Sequence, residues 1–196
     1  MNKLNEILND LAENFELYIQ GKSDYKVENK IIFNLMELLV MDSENYKLIS
    51  RQIRLFLSEI KISENYDEFI FRILVIKLYC DNLLKNNRIN ENNENILKRL
   101  KSATNENKSV LLYLAGSNYK NEDIRYKYLK EALKYHAFPN LLIDLSNHEK
   151  NIEIKKSLSI EAEKMKKTEM DIQIEDNNLF EFNRFYHTNI LGDFIE

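Results

Sequence analysis

Glycine and proline, the residues that form tight turns, are nearly absent from this chain. It contains three glycines and one proline in 196 residues. Phosphate-binding loops need glycine and β-hairpins need turn residues, so this composition excludes glycine-rich nucleotide loops and argues against sheets. The sequence therefore predicts an all-α fold of stacked antiparallel helical hairpins, either an irregular bundle or a short α-solenoid.

Cysteine and long apolar runs are also scarce. The single cysteine, Cys80, excludes an internal disulfide and fits a reducing compartment. The most apolar stretch, residues 69–84, is interrupted by three charged side chains, so no run approaches the ~18 apolar residues of a membrane span. The first residues lack the apolar region of a signal peptide. We therefore expect a cytoplasmic protein that does not contact a membrane.

No catalytic or metal-binding pattern is visible in the sequence. None of the three histidines, His136, His148 and His187, has a second His or Cys at the three- or four-residue spacing of a helical metal site. Cys80 has no neighbouring base that would activate its thiol. We predict a protein that is not an enzyme and that holds neither a cofactor nor a metal. The alternative, an enzyme of unrecognised type, would bring these histidines together with carboxylates.

Apolar residues recur at helical spacing throughout the first half of the chain. They predict helices at about 2–20 and 24–41, a third helix with Ser43 as its N-cap, and a fourth at about 64–85 with Ser63 as its N-cap. The fourth helix is apolar on most sides, which is typical of a central helix.

The composition divides the chain into four parts. Residues 1–85 form an N-terminal four-helix unit, and residues 86–95 form a polar, asparagine-rich linker or loop. Residues 96–168 form helical hairpins, and residues 169–196 form an acidic, aromatic segment, which we call the C-terminal segment. The alternative is a single domain in which residues 86–95 are a long surface loop.

The hairpin region contains an internal repeat at an offset of 30 residues. Leu111-Leu112 falls on Leu141-Leu142, and Glu131-Ala132 falls on Glu161-Ala162. Each unit consists of a short helix, a polar turn and a longer helix. Such a hairpin cannot bury its apolar face alone, so we expect the two units to stack on their neighbours.

The same region resembles tetratricopeptide or Sel1-type helical repeats. The resemblance lies within residues 108–168, in the stretches LYLAGSNY (112–119), YLKEAL (128–133) and FPN (138–140). It implies helical hairpins in which Ala115-Gly116 lies where two helices meet closely, with Ala132 at the second crossing. It carries over no binding residues.

The negative charge of the chain is concentrated in the C-terminal segment. Its net charge is −6 within a total of −4, which leaves residues 1–168 at +2. One interpretation is a final helix that caps the stack with its aromatic side chains buried. The other is an acidic, aromatic surface that binds a basic protein. The predicted partner-binding residues are Asp171, Glu175, Asp176, Phe180, Glu181, Phe182, Phe185 and Tyr186.

These features favour a non-enzymatic protein-binding module. The leading hypothesis is a bacterial inhibitor, analogous to immunity proteins, that neutralises a basic toxin or nuclease domain by covering its active surface. Nucleic acid is not an expected partner, because the net charge opposes phosphate binding. The alternative is a scaffold or regulator, similar to tetratricopeptide or Sel1 proteins, that binds a peptide in the concave face of residues 108–168.

Overall fold

The fold is all-α. The computed structural model describes residues 3–42, 44–60, 68–84, 103–168 and 179–195, and within them it contains nine α-helices, one π-helix and two strands of two residues each. In chain order these are α1 (Lys3–Ile19), α2 (Tyr25–Met41), α3 (Asn45–Glu59), α4 (Glu68–Leu83), α5 (Asn105–Ser117), α6 (Glu122–Leu133), α7 (Pro139–His148), α8 (Ile152–Lys164), β1 (Lys167–Thr168), α9 (Phe180–Phe185), the π-helix (Tyr186–Leu191) and β2 (Phe194–Ile195).

The first two helices form the predicted antiparallel hairpin. Asp24 caps α2 by accepting hydrogen bonds from the backbone N–H groups of Lys26 and Val27, both at 3.0 Å. Asp10 of α1 contacts α2, because its carboxylate lies 3.2 Å from the ammonium of Lys30 and accepts a 2.7 Å hydrogen bond from Asn34. Each helix begins and ends within one residue of the bounds predicted from apolar spacing, 2–20 and 24–41.

The N-cap predicted for α3 is wrong by one residue, and the N-cap predicted for α4 stays a prediction. The cap of α3 is Glu44, whose side chain makes no capping hydrogen bond. The predicted caps Ser43 and Ser63 lie outside the described residues. A Ser or Thr before an apolar run is only one of several ways to begin a helix, so this signal is weaker than the apolar periodicity.

Helix α4 is central, as its apolar character predicts. Eleven of its 16 residues are buried. It packs against α2, α3 and α5, and aromatic side chains of the C-terminal segment pack on it as well. One contiguous apolar cluster runs from Ile7 to Leu191, so the described parts of the predicted units share a core. The predicted linker, residues 86–95, lies outside the described residues.

The two hairpins of the second half, α5–α6 and α7–α8, match each other at equivalent positions. Asn121 and Asn151 are the N-caps of α6 and α8, and Ala132 and Ala162 are both completely buried. A Cβ added to Gly116 would lie 2.5 Å from the Cβ of Tyr128, so α5 and α6 approach each other too closely for a larger residue. The resemblance to known repeat families stays a prediction.

The C-terminal segment joins the two halves of the chain. Its helix α9 packs on α2, and its π-helix packs on α7. The side-chain amide of Asn140 on α7 donates hydrogen bonds to the carbonyl groups of Asn189 (3.3 Å) and Ile190 (3.0 Å). Beyond Gly192, which ends the π-helix with a φ of 70°, β2 pairs in parallel with β1.

Among the described residues, the core contains one ion pair with both side chains buried. The ammonium of Lys77 lies 2.6 Å from the carboxylate of Asp81, and the two side chains are 5% and 4% exposed. The hydroxyl of Ser50 on α3 donates to the other oxygen of Asp81, so the pair also joins α3 to α4. A buried charge is tolerated only while its partner is present, because the solvation that it lost is not otherwise replaced.

Removing one member of this pair should destabilise the protein strongly. We expect Asp81→Ala to lower the free energy of unfolding by roughly 3–5 kcal/mol, because the Lys77 ammonium would stay buried without a counter-charge. The double variant Lys77→Met/Asp81→Leu should be at least about 2 kcal/mol more stable than Asp81→Ala. Urea unfolding measures both. A cost below about 1 kcal/mol for Asp81→Ala would mean that water reaches the pair.

Candidate functional site

A groove of about 350 Å³ lies between α2 and the C-terminal segment, and we call it the α2 groove. Helix α2 forms one wall, α9 and the π-helix form the other, and α3 and α4 each contribute a tyrosine. Its lining residues are Met36, Leu39, Val40, Tyr46, Tyr79, Glu181, Arg184, Phe185, Thr188 and Asn189.

The wall formed by the C-terminal segment has two distinct sides. Phe182, Phe185 and Tyr186 are 4%, 6% and 8% exposed and pack into the core. The ring of Phe185 meets the ring of Tyr79 edge-on, with 4.9 Å between centroids. The groove-lining residues of the segment recur every three or four positions from Glu181 to Asn189 along α9 and the π-helix, and Phe185 lies at the border between the core side and the groove side.

Two polar side chains of the groove, Tyr79 and Asn189, are hydrogen-bonded to groups of the protein. The hydroxyl of Tyr79 donates to the side-chain oxygen of Asn189 at 3.5 Å, and the amide of Asn189 donates to the carbonyl of Phe185 at 3.3 Å. Asn189 belongs to the π-helix, a wide turn that is rare in proteins and frequent at functional sites. The groove therefore has fixed hydrogen-bonding groups beside an apolar surface.

Burial raises the pKa of the Tyr79 hydroxyl, and the neighbouring Tyr46 and Cys80 raise it further. The phenol is consequently a neutral hydrogen-bonding group at physiological pH. Burial also raises the pKa of the Cys80 thiol, and the carboxylate of Asp81 adds to this effect. The thiol is fully buried and stays protonated, which does not suit a nucleophile.

Exposed apolar side chains continue the groove along α2. Val40 at its edge is 76% exposed, Met41 is 41% exposed, and Phe33, two helical turns before Val40, is 47% exposed. Phe33 and Val40 are seven residues apart, so they lie along one side of the helix, whereas Met36 between them lines the groove but is 4% exposed. We call Phe33 and Val40 the α2 stripe.

Two acidic side chains follow the end of α2. Asp42 and Glu44 are exposed directly after this helix, and Glu181, also exposed, lines the wall that α9 forms. The last turn of α2 contains no basic residue that would offset the partial negative charge of a helix C-terminus. Of the groove-lining residues, Arg184 is the one that brings positive charge. The chain directly after α2 therefore carries negative charge, and we call Asp42 and Glu44 the acidic rim.

The structure divides the predicted partner-binding residues into three groups. Phe182, Phe185 and Tyr186 are buried in the core, and Phe185 also lines the groove; that these residues bind a partner stays a prediction. Phe180 is partly buried, and Glu181 is exposed at the groove. The remaining three, Asp171, Glu175 and Asp176, lie outside the described residues.

The α2 side of the groove was not predicted from the sequence. The signal was present, because Phe33 and Val40 fall outside the buried stripe of an otherwise regular amphipathic helix. Whether Phe33 and Val40 border a groove depends on residues far along the chain, since the facing wall begins at Glu181. No local pattern connects the two.

Two of the three histidines have separate carboxylate partners. The Nδ1 atom of His148 lies 2.8 Å from Glu122, and that of His187 lies 2.9 Å from Asp193. Across the described ranges, no group of three or more His, Cys, Asp or Glu side chains is arranged to hold a metal ion. The helices in those ranges also fall short of the length and apolarity needed to cross a bilayer.

No protein-family model, curated protein or solved structure matches the chain.

Replacing the Tyr79 hydroxyl should change how stability depends on pH. Because the pKa of Tyr79 is raised in the folded protein, its contribution to stability is complete below the pKa of about 10 of an unfolded tyrosine. That contribution is lost as the pH rises further. Urea unfolding between about pH 8 and pH 11 should thus show a shallower loss of stability for Tyr79→Phe than for the wild type. Equal slopes would contradict the burial of this hydroxyl.

Proposed function

We propose that this chain is a non-enzymatic protein-binding module that holds a segment of a basic protein in the α2 groove. The observation that carries the proposal is the combination of the groove, the exposed α2 stripe beside it and the acidic rim directly after α2. Interface cores typically combine apolar and aromatic anchors with a polar rim, which is the arrangement found here.

The extent of the apolar surface favours a protein over a small molecule. A small ligand in a groove of about 350 Å³ would leave Phe33 exposed, because Phe33 lies on α2 outside the groove lining. A protein segment would cover the groove and Phe33 together. Removing apolar area from water contributes roughly 25 cal/mol per Å². Covering the groove and Phe33 together therefore gives a more favourable binding free energy than covering the groove alone.

The charge of the chain favours a basic partner. The chain carries a net charge of −4, and the C-terminal segment alone carries −6. Opposite charge speeds the encounter of two proteins and orients them. A bacterial toxin or nuclease domain with a basic active surface has the required chemistry. The proposed role is that of an intracellular inhibitor that covers this surface.

The alternative, a peptide-binding scaffold built from residues 108–168, gains less support. Eight of the 13 residues of α5 are buried, and the helix packs against α4 and α6. Helix α7 packs against α6, α8 and the π-helix. The surfaces of these helices that could line a concave binding face are therefore largely covered by other parts of the same chain.

Val40→Glu tests the proposal. The wild-type protein, expressed in its native cell with the products of adjacent genes, should retain one stoichiometric basic partner at low salt and less of it at high salt. Val40→Glu should lose this partner, because it places a carboxylate at an apolar contact. The partner is identified by mass spectrometry.

Ile152→Glu provides the matched control. Ile152 lies on α8 and is 61% exposed. Ile152→Glu therefore replaces an exposed aliphatic side chain by Glu, as Val40→Glu does. The Ile152→Glu variant should capture the partner as the wild type does. Urea unfolding should show that both variants are folded. Equal capture by Val40→Glu and the wild type would overturn the role of the α2 groove.

A further inference from the structure

We propose that two copies of this chain pair antiparallel through α2 and thereby cover the α2 stripe while no partner is bound. The pairing is argued from α2 itself. Its consequence, that the second copy must leave before a partner segment binds, rests on the proposed function. The surface that carries the pairing is the exposed face of α2 together with the turn that follows this helix.

The exposed face of α2 changes from basic to apolar to acidic along the helix. Lys26, Phe33 and Val40 are seven residues apart, so they share one side of α2, and all three are exposed. The acidic rim follows at the C-terminal end. Its turn is fixed there, because the side-chain amide of Asn45 donates to the carbonyl of Leu38 at 3.1 Å.

A two-fold axis between Phe33 and Val40 makes this face complementary to itself. In an antiparallel pair of α2 helices around this axis, Phe33 of each copy meets Val40 of the other, as in an isologous interface. The two side chains are 47% and 76% exposed, so pairing removes apolar area from water at both. Helices α1, α3, α4 and α9 pack on other parts of α2 and leave this face open.

The same axis brings opposite charges of the two copies together. Lys30 of one copy lies level with the residues that follow the other α2, and Lys26 lies about one turn further out. Both lysines are exposed, and Lys30 also pairs with Asp10 of its own chain. The acidic rim that they approach follows a helix end without a basic residue in its last turn. This charge complementarity assigns the face to a second copy.

Other arrangements of two α2 helices lose one of these matches. An antiparallel pair centred on Phe33 sets the ammonium of Lys26 against the apolar side chain of Val40. A parallel pair places the two acidic rims beside each other, where like charges repel. The pairing centred between Phe33 and Val40 satisfies both the apolar contact and the charges.

Pairing would also regulate the α2 groove. Val40 lines the groove and Phe33 lies beside it on α2, so the second copy covers residues that the proposed partner segment has to contact. The dimer and the partner complex therefore exclude each other. The apparent affinity for the partner falls in proportion to the fraction of chains that are free to bind.

Sedimentation equilibrium of the full-length chain at low salt, from about 1 to 100 μM, tests the pairing. We expect the wild type to dimerise, Val40→Glu to pair at least about tenfold more weakly, and Ile152→Glu to match the wild type. Lys26→Glu and Glu44→Lys should each weaken pairing about threefold or more, because each sets like charges together at both ends. Their equimolar mixture should pair more tightly than either variant alone, because opposite charges then meet at both ends.

Cysteine cross-linking tests the register of the two helices. Phe33→Cys mixed with Val40→Cys should form an intermolecular disulfide. Val40→Cys alone should form much less, because the two copies of position 40 are then about 10 Å apart along the helix axes. The native Cys80 is fully buried and should not react.

The capture experiment tests the regulation. Lys26→Glu, which favours the monomer, should retain more of the basic partner than the wild type does. Lys156→Glu makes the same change of charge at an exposed position of α8 and should retain the wild-type amount. Equal capture by the two variants would show that the second copy does not compete with the partner.

Other outcomes would overturn the pairing. A monomeric wild type at about 100 μM, or a dimer that persists unchanged in Val40→Glu, would remove it. Equal cross-linking of Val40→Cys alone and of the mixture would contradict the register. A dimeric chain that captures no partner keeps the pairing and removes the proposed function. A monomeric chain whose partner is lost in Val40→Glu does the reverse.

Discussion

The structure depends on the packing of one short aromatic helix against two others. The rings of Phe182, Phe185 and Tyr186 are buried against α2 and α4, and the π-helix that follows is hydrogen-bonded to α7. Burying a large apolar side chain contributes roughly 1.5–3 kcal/mol, so this contact is a substantial part of the stability of a small domain. It also joins the N-terminal helices to the hairpins of the second half.

The same contact creates the candidate site. Because the aromatic side of α9 is fixed in the core, its other side, with Glu181 and Arg184, is held opposite α2 at a constant distance. Phe33 and Val40 stay exposed because α9 covers only part of α2. The acidic, aromatic composition of the segment thus serves two purposes: the aromatic rings stabilise the fold, and Glu181 lines the groove.

The sequence predicted the helices well and the site only in part. Apolar spacing defined α2 nearly to the residue and identified α4 as central, because both signals are local. The 30-residue offset placed Ala132 and Ala162 at equivalent buried positions. The α2 groove could not be predicted, since it requires residues near position 40 to face residues near position 185. For the same reason, the sequence could not decide whether the aromatic rings meet a partner or their own core.

Amide hydrogen exchange of the C-terminal segment tests the central claim most directly. If docking of this segment closes the core and forms one wall of the groove, the amides of Phe185 and Ile190 should exchange nearly as slowly as those of α4. Exchange in the C-terminal segment and in α4 would then each require an opening close to global unfolding. Exchange of these amides at the rate of an unstructured peptide, with α4 still protected, would show that the segment is not part of the core and would contradict the account.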